Sequence, residues 1–179
     1  MGGSGPDCDV VSQIPASAHE PAIDGAHFRH VLGHFLTGVT IITATDPETN
    51  SPVGLAASSF SSLSLDPPLV LFCAGKNSSS WPRIQAAGNY CVNILGDDQE
   101  VLSRQFAGKG DKFAGVGWRN GPSGSPVIES ALAWIDCTID SEVDAGDHVI
   151  VIGRVLGLDA KDHGGPLAYF RGGYGVFGQ

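Results

Sequence analysis

The 179-residue sequence has few basic residues and lacks the motifs of the common nucleotide sites. Its ten lysines and arginines are outnumbered by 19 acidic residues, and the net charge of −9 argues against nucleic acid or anionic lipid as a partner. No G-x-G-x-x-G stretch stands between a strand and a helix pattern, and G-x-x-x-x-G-K-[ST] is absent, which excludes the usual Rossmann and P-loop sites. No apolar run approaches the roughly 20 residues that a bilayer-spanning helix needs.

The four cysteines form no C-x-x-C pair, so neither a zinc knuckle nor a dithiol motif is predicted. Cys73, Cys91 and Cys137 stand in apolar runs, which is typical of small buried hydrophobic side chains. His30 and His34 have the i, i+4 spacing of metal ligands, but no carboxylate or cysteine stands near to complete a site, so we predict no metal. The N-terminus has no basic segment followed by an apolar one, and we expect a cytoplasmic protein.

The length indicates one domain preceded by a tail. Residues 1–23 are rich in Gly, Ser, Pro and Ala without periodicity, and they predict a disordered tail before a folded domain over residues 24–179. Asp24 is a candidate N-cap for the first helix. The apolar positions of that helix recur with helical spacing at Phe28, Val31, Leu32 and Phe35.

Strand patterns dominate the rest of the chain. The predicted strands cover residues 38–45, 52–59, 68–74, 89–95, 131–143, 148–158, 166–170 and 174–177. Ser80 before Trp81-Pro82 predicts a helix that ends at Gly88, and Asp97 with Glu100 predicts a capping-box start for a helix over 98–107. Residues 108–125 are predicted as a long glycine-rich loop. Because most connections have hairpin length or hold one short helix, we predict a mainly β fold, an antiparallel barrel with a few short helices at its rims.

Serine hydroxyls are concentrated around two neighbouring strands. Five serines stand between Ala56 and Ser64, and three more follow Lys76-Asn77. A buried hydroxyl needs a hydrogen-bond partner, and a ligand rich in phosphate and carbonyl oxygens would supply such partners. Hydroxyls, backbone N–H groups and one lysine at a helix start are suited to hold a phosphate. The pattern therefore predicts a phosphate-bearing ligand on these strands, although a polar, bulged edge strand with a helix N-cap would also use such serines.

The stretch G-L-A-A-S-S-F-S-S-L-S-L-D-P-P-L-V resembles the signature of the short-chain flavin reductase family. The likeness continues through F-R-H-V-L-G-H-F-L-T-G-V-T, D-K-F-A-G-V-G-W, G-S-P-V-I, A-L-A-W-I-D-C, G-D-H and Y-F-R-G-G-Y. It spans roughly residues 27–175, and it is greatest to the reductases that serve aromatic-ring and steroid-ring hydroxylases. The resemblance implies a split β-barrel of the FMN-binding type that acts as a homodimer.

The resemblance also implies an activity. It is that of an NAD(P)H:flavin oxidoreductase that reduces FMN or FAD and releases the reduced flavin to a monooxygenase acting on an aromatic or steroid-derived substrate. NADPH usually requires an arginine at its 2′-phosphate, and the scarcity of basic residues favours NADH. Two other functions fit less of the sequence: a flavin-binding or redox-sensing protein without turnover, and an enzyme similar to pyridoxamine-phosphate oxidase. The second would need a phosphate site rich in Arg and Lys, and the expected loop holds only Lys76.

The resemblance assigns two sets of binding residues. The expected flavin-binding residues are Thr37, Ala56, Ala57, Ser58, Ser59, Ser62, Lys76, Ser78, Ser79, Ser80, Trp81, Phe106 and Lys112. Ala56 to Ser59 would follow the flavin ring and Ser62 the ribityl chain, whereas Lys76 and 78–81 would hold the phosphate. The expected nicotinamide-binding residues are His34, His148, Tyr169, Arg171 and Gly172, with His148 as the catalytic residue that positions the dinucleotide.

Several of these residues also have plain structural interpretations. Phe106 fits a helix core, and Lys112 fits a solvated loop charge. His148 fits a surface histidine after a tight Gly146-Asp147 turn, and Arg171 fits a surface charge.

Overall fold

The computed structural model describes residues 23–177, so all but the last residue of the predicted tail over residues 1–23 lies outside the described residues. The described helices are α1 (Gly25–Leu32), α2 (Trp81–Ala87) and α3 (Glu100–Ala107). The first strands are β1 (Thr37–Gly38), β2 (Thr40–Thr45), β3 (Pro52–Ala57), β4 (Ser61–Leu65), β5 (Pro68–Gly75) and β6 (Asn89–Ile94). The later strands are β7 (Trp118–Asn120), β8 (Pro126–Ile128), β9 (Ala133–Ala145), β10 (His148–Ala160), β11 (Leu167–Phe170) and β12 (Gly173–Val176).

Seven strands form one sheet in the order β3-β2-β6-β9-β10-β5-β4, and every neighbouring pair is antiparallel. The sheet curls so that β3 and β5 come into contact although they share no ladder. A small sheet of β1, β11 and β12 and a β7–β8 hairpin lie beside it. This arrangement confirms the predicted mainly β, antiparallel split barrel. Its split, between β3 and β5, brings together the two strands that flank the serine-rich stretch.

The core consists of two packed groups of apolar side chains. One surrounds Phe72, whose ring makes edge contacts with Trp81 at 6.0 Å and Tyr90 at 5.1 Å between centroids. The other contains Phe106, which is fully buried and packs on Phe113. A Cβ atom added to Gly54 would lie 2.6 Å from the Phe106 ring, so this close packing of α3 on β3 requires glycine.

Helix α1 has the predicted N-cap, because the Asp24 carboxylate accepts the backbone N–H of His27 at 2.9 Å. None of its residues is buried. The apolar side chains that it and the following turn expose are Phe28, Val31, Leu32, Phe35 and Leu36. A helix of a monomeric domain normally turns its apolar stripe onto the core, so this stripe is an unpartnered surface among the described residues.

Four elements differ from the sequence predictions. The expected strand over 38–45 is divided, because β1 pairs with β11 while β2 joins the main sheet. The serine-rich segment after Ser59 contains strand β4, which pairs with β5. Helix α3 begins at Glu100 after Gln99, whose side chain accepts the N–H of Gly96, so the Asp97 capping box was wrong. The loop predicted over 108–125 contains β7, and its partner β8 was missed.

No helix within residues 23–177 is long and apolar enough to cross a membrane. Across the same residues, no group of three or more His, Cys, Asp or Glu side chains is arranged to hold a metal ion.

Candidate functional site

The C-terminal half of strand β3 faces a cavity of about 300 Å³ that His148 also lines. We call it the His148 cavity. Its lining residues are Leu55, Ala56, Ala57, Ser58, Ser59, Cys73, Gly75, Asn77, Ser78 and His148. Two small alanine side chains on one side leave room for a flat group to approach the backbone of β3 closely. Four of the predicted flavin-ring residues and the predicted nicotinamide histidine therefore meet in one cavity.

Ser59 closes the gap between the two strands that form this cavity. Its hydroxyl accepts the N–H of Cys73 at 2.9 Å and donates to the carbonyl of Cys73 at 3.2 Å. The hydroxyl thus links the end of β3 to β5, two strands that share no ladder hydrogen bonds. Because its proton is already donated, Ser59 holds the cavity wall in place more than it offers a donor to a ligand.

His148 is the first residue of β10, directly after the tight turn at Gly146, whose φ is 65°. It pairs with Gly75 of β5 on one side and Ala145 of β9 on the other. Its Nδ1 lies 2.7 Å from the Asp147 carboxylate, and this hydrogen bond holds the pKa of Asp147 below its ordinary value. The pair fixes the ring orientation and leaves Nε2 to contact a ligand.

A second cavity of about 210 Å³ lies against the same segment of β3. We call it the tyrosine cavity, and it is lined by Val39, Ala56, Ala57, Ser58, Ser103, Tyr169 and Tyr174. The tyrosine rings meet edge to face at 5.2 Å, and the Tyr174 hydroxyl hydrogen-bonds Ser103 at 2.9 Å. Arg104 stacks over the Tyr174 ring at 4.8 Å. Residues 56–58 therefore line both cavities, with His148 in one and Tyr169 in the other.

A third cavity of about 310 Å³ lies at the N-terminal half of β3 and contains most of the basic groups near the site. We call it the basic cavity. It is lined by Pro52, Val53, Gly54, Ser79, Ser80, Arg83, Gly108, Lys109, Gly110, Asp111, Lys112 and Phe113. Three of the ten lysines and arginines of an acidic chain thus meet here with two hydroxyls. Such a group is suited to bind an anion.

Lys112 has the most specific contacts in the basic cavity. Its ammonium donates to the carbonyl of Gly54 at 3.1 Å and to the hydroxyl oxygen of Ser80 at 3.2 Å. Partial burial lowers its pKa. Because Ser80 accepts from the ammonium, its own hydroxyl proton points elsewhere and can be donated to a ligand oxygen.

Arg83 also lines the basic cavity, and it forms an ion pair with Asp46, which does not line that cavity. Its Nε donates to the buried Asp46 carboxylate at 2.7 Å. That carboxylate also accepts the N–H of Glu48 and the hydroxyl of Thr49, and the pKa of Asp46 is lowered by these hydrogen bonds. The two terminal nitrogens of Arg83 are left for an anion in the cavity.

Lys76 is not brought to this cavity. Its ammonium pairs with Asp144 at 2.5 Å and donates to the carbonyl of Gly146 at 2.7 Å, both on the turn before His148. The structure therefore separates Lys76 from Ser79 and Ser80, with which the sequence had grouped it, and Lys112 lies beside those two serines instead.

Of four other predicted flavin residues, two pack in the core, one caps a helix and one lies outside the cavities. Trp81 is 4% exposed and packs on Phe72 in the core, and Phe106 is fully buried on Gly54. Ser78 lines the His148 cavity, but its hydroxyl oxygen also accepts the N–H groups of Ser80 and Trp81, so it caps the start of α2. Ser62 is an exposed residue of β4 that pairs with Val70, outside the three cavities described.

The remaining nicotinamide candidates meet at the end of α1. His34 packs edge-on against Phe170 at 6.2 Å, and the N–H of Arg171 donates to the Gly33 carbonyl at 2.8 Å. Arg171 and Gly172 form the β11–β12 turn with φ values of 50° and 82°. This turn begins two residues after Tyr169. Tyr169 lines the tyrosine cavity and His148 lines the His148 cavity, so the five candidates do not share one pocket.

Thr37 supplies a separate indication of a ligand near this sheet. Its hydroxyl oxygen is buried and has no hydrogen-bond partner, although a buried hydroxyl without a partner is costly. It stands opposite Tyr169 in the β1–β11 ladder. A flat ring against the alanines of β3 and a phosphate in the basic cavity would use both ends of this strand. The residues present therefore fit a flavin nucleotide.

Several lining residues were not identified from the sequence as ligand contacts. They are Cys73, Asn77, Arg83, Ser103, Lys109 and Tyr174. Asn77 stood inside the serine cluster and Lys109 stood near Lys112, so local clustering was an available signal for both. Arg83 and Ser103 lie on helices whose facing direction only the packed fold determines.

Comparison with known proteins gives a consistent result. Residues 32–178 match the family model described as the flavin reductase like domain. HsaB of Rhodococcus jostii, the reductase subunit of a flavin-dependent monooxygenase, is 48% identical over 154 residues, which are 86% of this chain and 78% of HsaB. SmoA of Agrobacterium fabrum, an FMN reductase (NADH), is 43% identical over 152 residues, which are 85% of this chain and 86% of SmoA. The crystal structure of a nitrilotriacetate monooxygenase component B from Mycobacterium thermoresistibile has a TM-score of 0.82 at 49% identity and covers 86% of each chain.

Proposed function

Because this chain belongs to the flavin reductase family, we propose that it uses NADH to reduce FMN at strand β3 and releases the reduced flavin to a separate monooxygenase. The proposal is supported by two relatives, since HsaB is the reductase subunit of a flavin-dependent monooxygenase and SmoA is an FMN reductase (NADH). When both substrates are bound, nicotinamide C4 supplies a hydride to flavin N5. The observation that carries the proposal is that residues 56–58 line both the His148 cavity and the tyrosine cavity.

The protein's contribution to such a reaction is positioning. Ala56 and Ala57 present a flat surface of small side chains, and Ser58 is exposed beside them as a donor and acceptor. Hydroxyls and backbone N–H groups at that edge stabilise negative charge that develops on a reduced ring. The cavity walls are fixed by Ser59 and by strand pairing, so little reorganisation is needed when the substrates meet.

The phosphate of FMN is assigned to the basic cavity. Lys112, Ser80 and Arg83 each keep at least one donor free after their internal contacts. We keep Ser79, which is exposed in the same lining, in the predicted phosphate site. This assignment gives Lys112 the charge-assisted role that the sequence had assigned to Lys76.

His148 is assigned to the nicotinamide. Asp147 orients its ring, and Nε2 is left to hold the dinucleotide carboxamide or ribose on the open side of the cavity. Hydride transfer needs no proton from this histidine, so its contribution is orientation. Tyr169, Arg171, Gly172 and His34 remain proposed neighbours of the dinucleotide, with Tyr169 the one that lines a cavity.

The choice of NADH has two supports. Neither the His148 cavity nor the tyrosine cavity has a lysine or arginine in its lining to hold the 2′-phosphate of NADPH. The relative SmoA, moreover, is an FMN reductase (NADH). The further assignment of an aromatic or steroid-derived substrate to the partner oxygenase is a prediction from the family resemblance.

The exposed stripe of α1 supports the proposed homodimer. Five apolar side chains of α1 and the following turn are about half exposed or more, which is unusual for a helix of an isolated domain. A second copy of the chain brings a matching stripe, because a two-fold interface uses the same surface twice.

The direct assay is steady-state oxidation of NADH and NADPH with FMN, FAD and riboflavin as acceptors. The proposal expects flavin-dependent NADH oxidation, with NADPH much less effective. Tight flavin binding without NADH oxidation would instead identify a flavin-binding protein without turnover.

A further inference from the structure

The geometry points to Lys76 as a positioning residue that clamps the turn carrying His148, an inference that rests on the proposed role of His148. The turn comprises residues 144–147, which are the last two residues of β9 and the two residues that connect it to β10. Lys76 stands directly after β5, the other strand that borders His148.

Three contacts join Lys76 to this turn. The Lys76 ammonium pairs with the Asp144 carboxylate at 2.5 Å, at the start of the turn. The same ammonium donates to the carbonyl of Gly146 at 2.7 Å, in the middle of the turn. The backbone N–H of Lys76 donates to the carbonyl of Asp147 at 2.9 Å, at the end of the turn. One residue therefore contacts the beginning, the middle and the end of a four-residue segment.

The clamp acts on an exposed turn. Asp144, Gly146 and Asp147 are all exposed. Gly146 has a left-handed conformation and loses conformational freedom when it is ordered. A cation that holds two groups of such a turn restricts its motion, and His148 with its partner Asp147 follows immediately. The side chain of Lys76 thus affects the orientation of the imidazole without contacting the ligand.

The contacts also explain why Lys76 is poorly placed for the flavin phosphate. Two of its three ammonium donors are engaged by Asp144 and Gly146, and the carboxylate neutralises its charge. Lys76 does not line the basic cavity, the His148 cavity or the tyrosine cavity. The Lys76–Asp144 ion pair is exposed, so we expect it to contribute little to the stability of the whole protein. Its effect should instead be measurable in the function of the turn that carries His148.

The test is a double-mutant cycle with Lys76→Met and His148→Ala, with Lys161→Met as control. Lys161 is an exposed lysine whose ammonium likewise donates to a backbone carbonyl, that of Ser130, away from the turn. NADH kinetics with saturating FMN and the Kd values of FMN and riboflavin are measured for each variant. Lys76→Met is expected to lower kcat/KM for NADH by roughly 3- to 10-fold, mainly through KM, with both Kd values unchanged. In the His148→Ala background the same substitution should have no further effect.

A second variant keeps Lys76 and removes the charge of its partner. Asp144→Asn should also lower kcat/KM for NADH, but by less than Lys76→Met does. Lys76→Arg should keep part of the kcat/KM for NADH that Lys76→Met loses. An equal loss from Lys76→Met with and without His148 would overturn the clamp. A selective loss of FMN affinity over riboflavin would overturn it in favour of a phosphate contact. If His148→Ala alone leaves NADH kinetics unchanged, the proposed role of His148 fails, and this outcome is distinct from failure of the clamp.

Discussion

His148 Nδ1 lies 2.7 Å from the Asp147 carboxylate, and because an ionised carboxylate only accepts, the ring nitrogen is the donor. This contact between consecutive residues occupies one ring nitrogen, and His148 lines a cavity together with residues 55–59. The ring is thereby oriented in the free protein, before any substrate arrives.

Replacing His148 by alanine should impair the use of NADH and spare flavin binding. The loss of one orienting hydrogen bond is expected to lower kcat/KM for NADH by about 10- to 100-fold, on the order of 1.4–3 kcal/mol. The Kd of FMN, measured by fluorescence quenching, should hardly change. His163→Ala, an exposed histidine of a loop outside the three cavities, is the matched control. A collapse of FMN binding with intact kcat/KM per bound flavin would assign His148 to the flavin instead.

Lys112→Met should distinguish flavins with and without a phosphate. Removing one charge-assisted hydrogen bond costs about 1.5–3 kcal/mol, so the Kd of FMN should rise by roughly 10- to 150-fold. Riboflavin, which has no phosphate, should bind almost as before. Lys161→Met, a substitution of an exposed lysine elsewhere, should leave both Kd values unchanged. Equal losses for FMN and riboflavin would show that Lys112 acts on the cavity wall and not on the phosphate.

Gly54→Ala tests the close packing of α3 on strand β3. The added Cβ would lie 2.6 Å from the Phe106 ring, so helix and strand must separate, at a cost of about 1–3 kcal/mol of unfolding free energy. Gly175→Ala is the control, since no atom lies within 4 Å of its added Cβ. Denaturant unfolding of both variants measures the difference. Similar midpoints for the two variants would mean that α3 is not tightly docked on β3.

The proposed dimer is tested by the mass of the protein in solution. At micromolar concentration, sedimentation equilibrium is expected to give twice the chain mass of 18.5 kDa. Val31→Asp places a charge in the exposed stripe of α1 and should shift the equilibrium towards the monomer. Glu48→Lys, an exposed charge change on the β2–β3 turn, is the control. A wild-type protein that sediments as a single 18.5 kDa species would contradict the dimer.

The fold was predictable because its signals are local. Alternating strand patterns, the Asp24 cap and the Gly146 turn each fix nearby backbone, and the structure has all three. The pairing of β1 with β11 was not predictable, since two residues with strand propensity do not specify a partner more than a hundred residues away.

The structure brings together the predicted residues of strand β3, but it does not bring Lys76 to the predicted serines Ser79 and Ser80. Ala56 to Ser59 are adjacent in sequence and lie together in one cavity, so their grouping required no knowledge of the fold. The sequence favoured Lys76 for the phosphate because three serines follow it, whereas Lys112 also fitted a solvated loop charge. Which of them meets Ser80 depends on where the long loop before β7 packs, and hydroxyls near a lysine in sequence do not show that. The Trp81 ring packs into the core, a direction that its position beside the serines does not indicate.

The most direct test of the central claim is the release of reduced flavin in the absence of an oxygenase. The protein is mixed anaerobically with NADH and an excess of FMN, the mixture is passed through a membrane that retains the protein, and reduced flavin in the filtrate is measured from its absorbance. We expect many equivalents of reduced FMN per protein chain in the filtrate, with NADH consumed in equal amount. Reduced flavin limited to one equivalent and retained with the protein, or no NADH oxidation at all, would contradict the account.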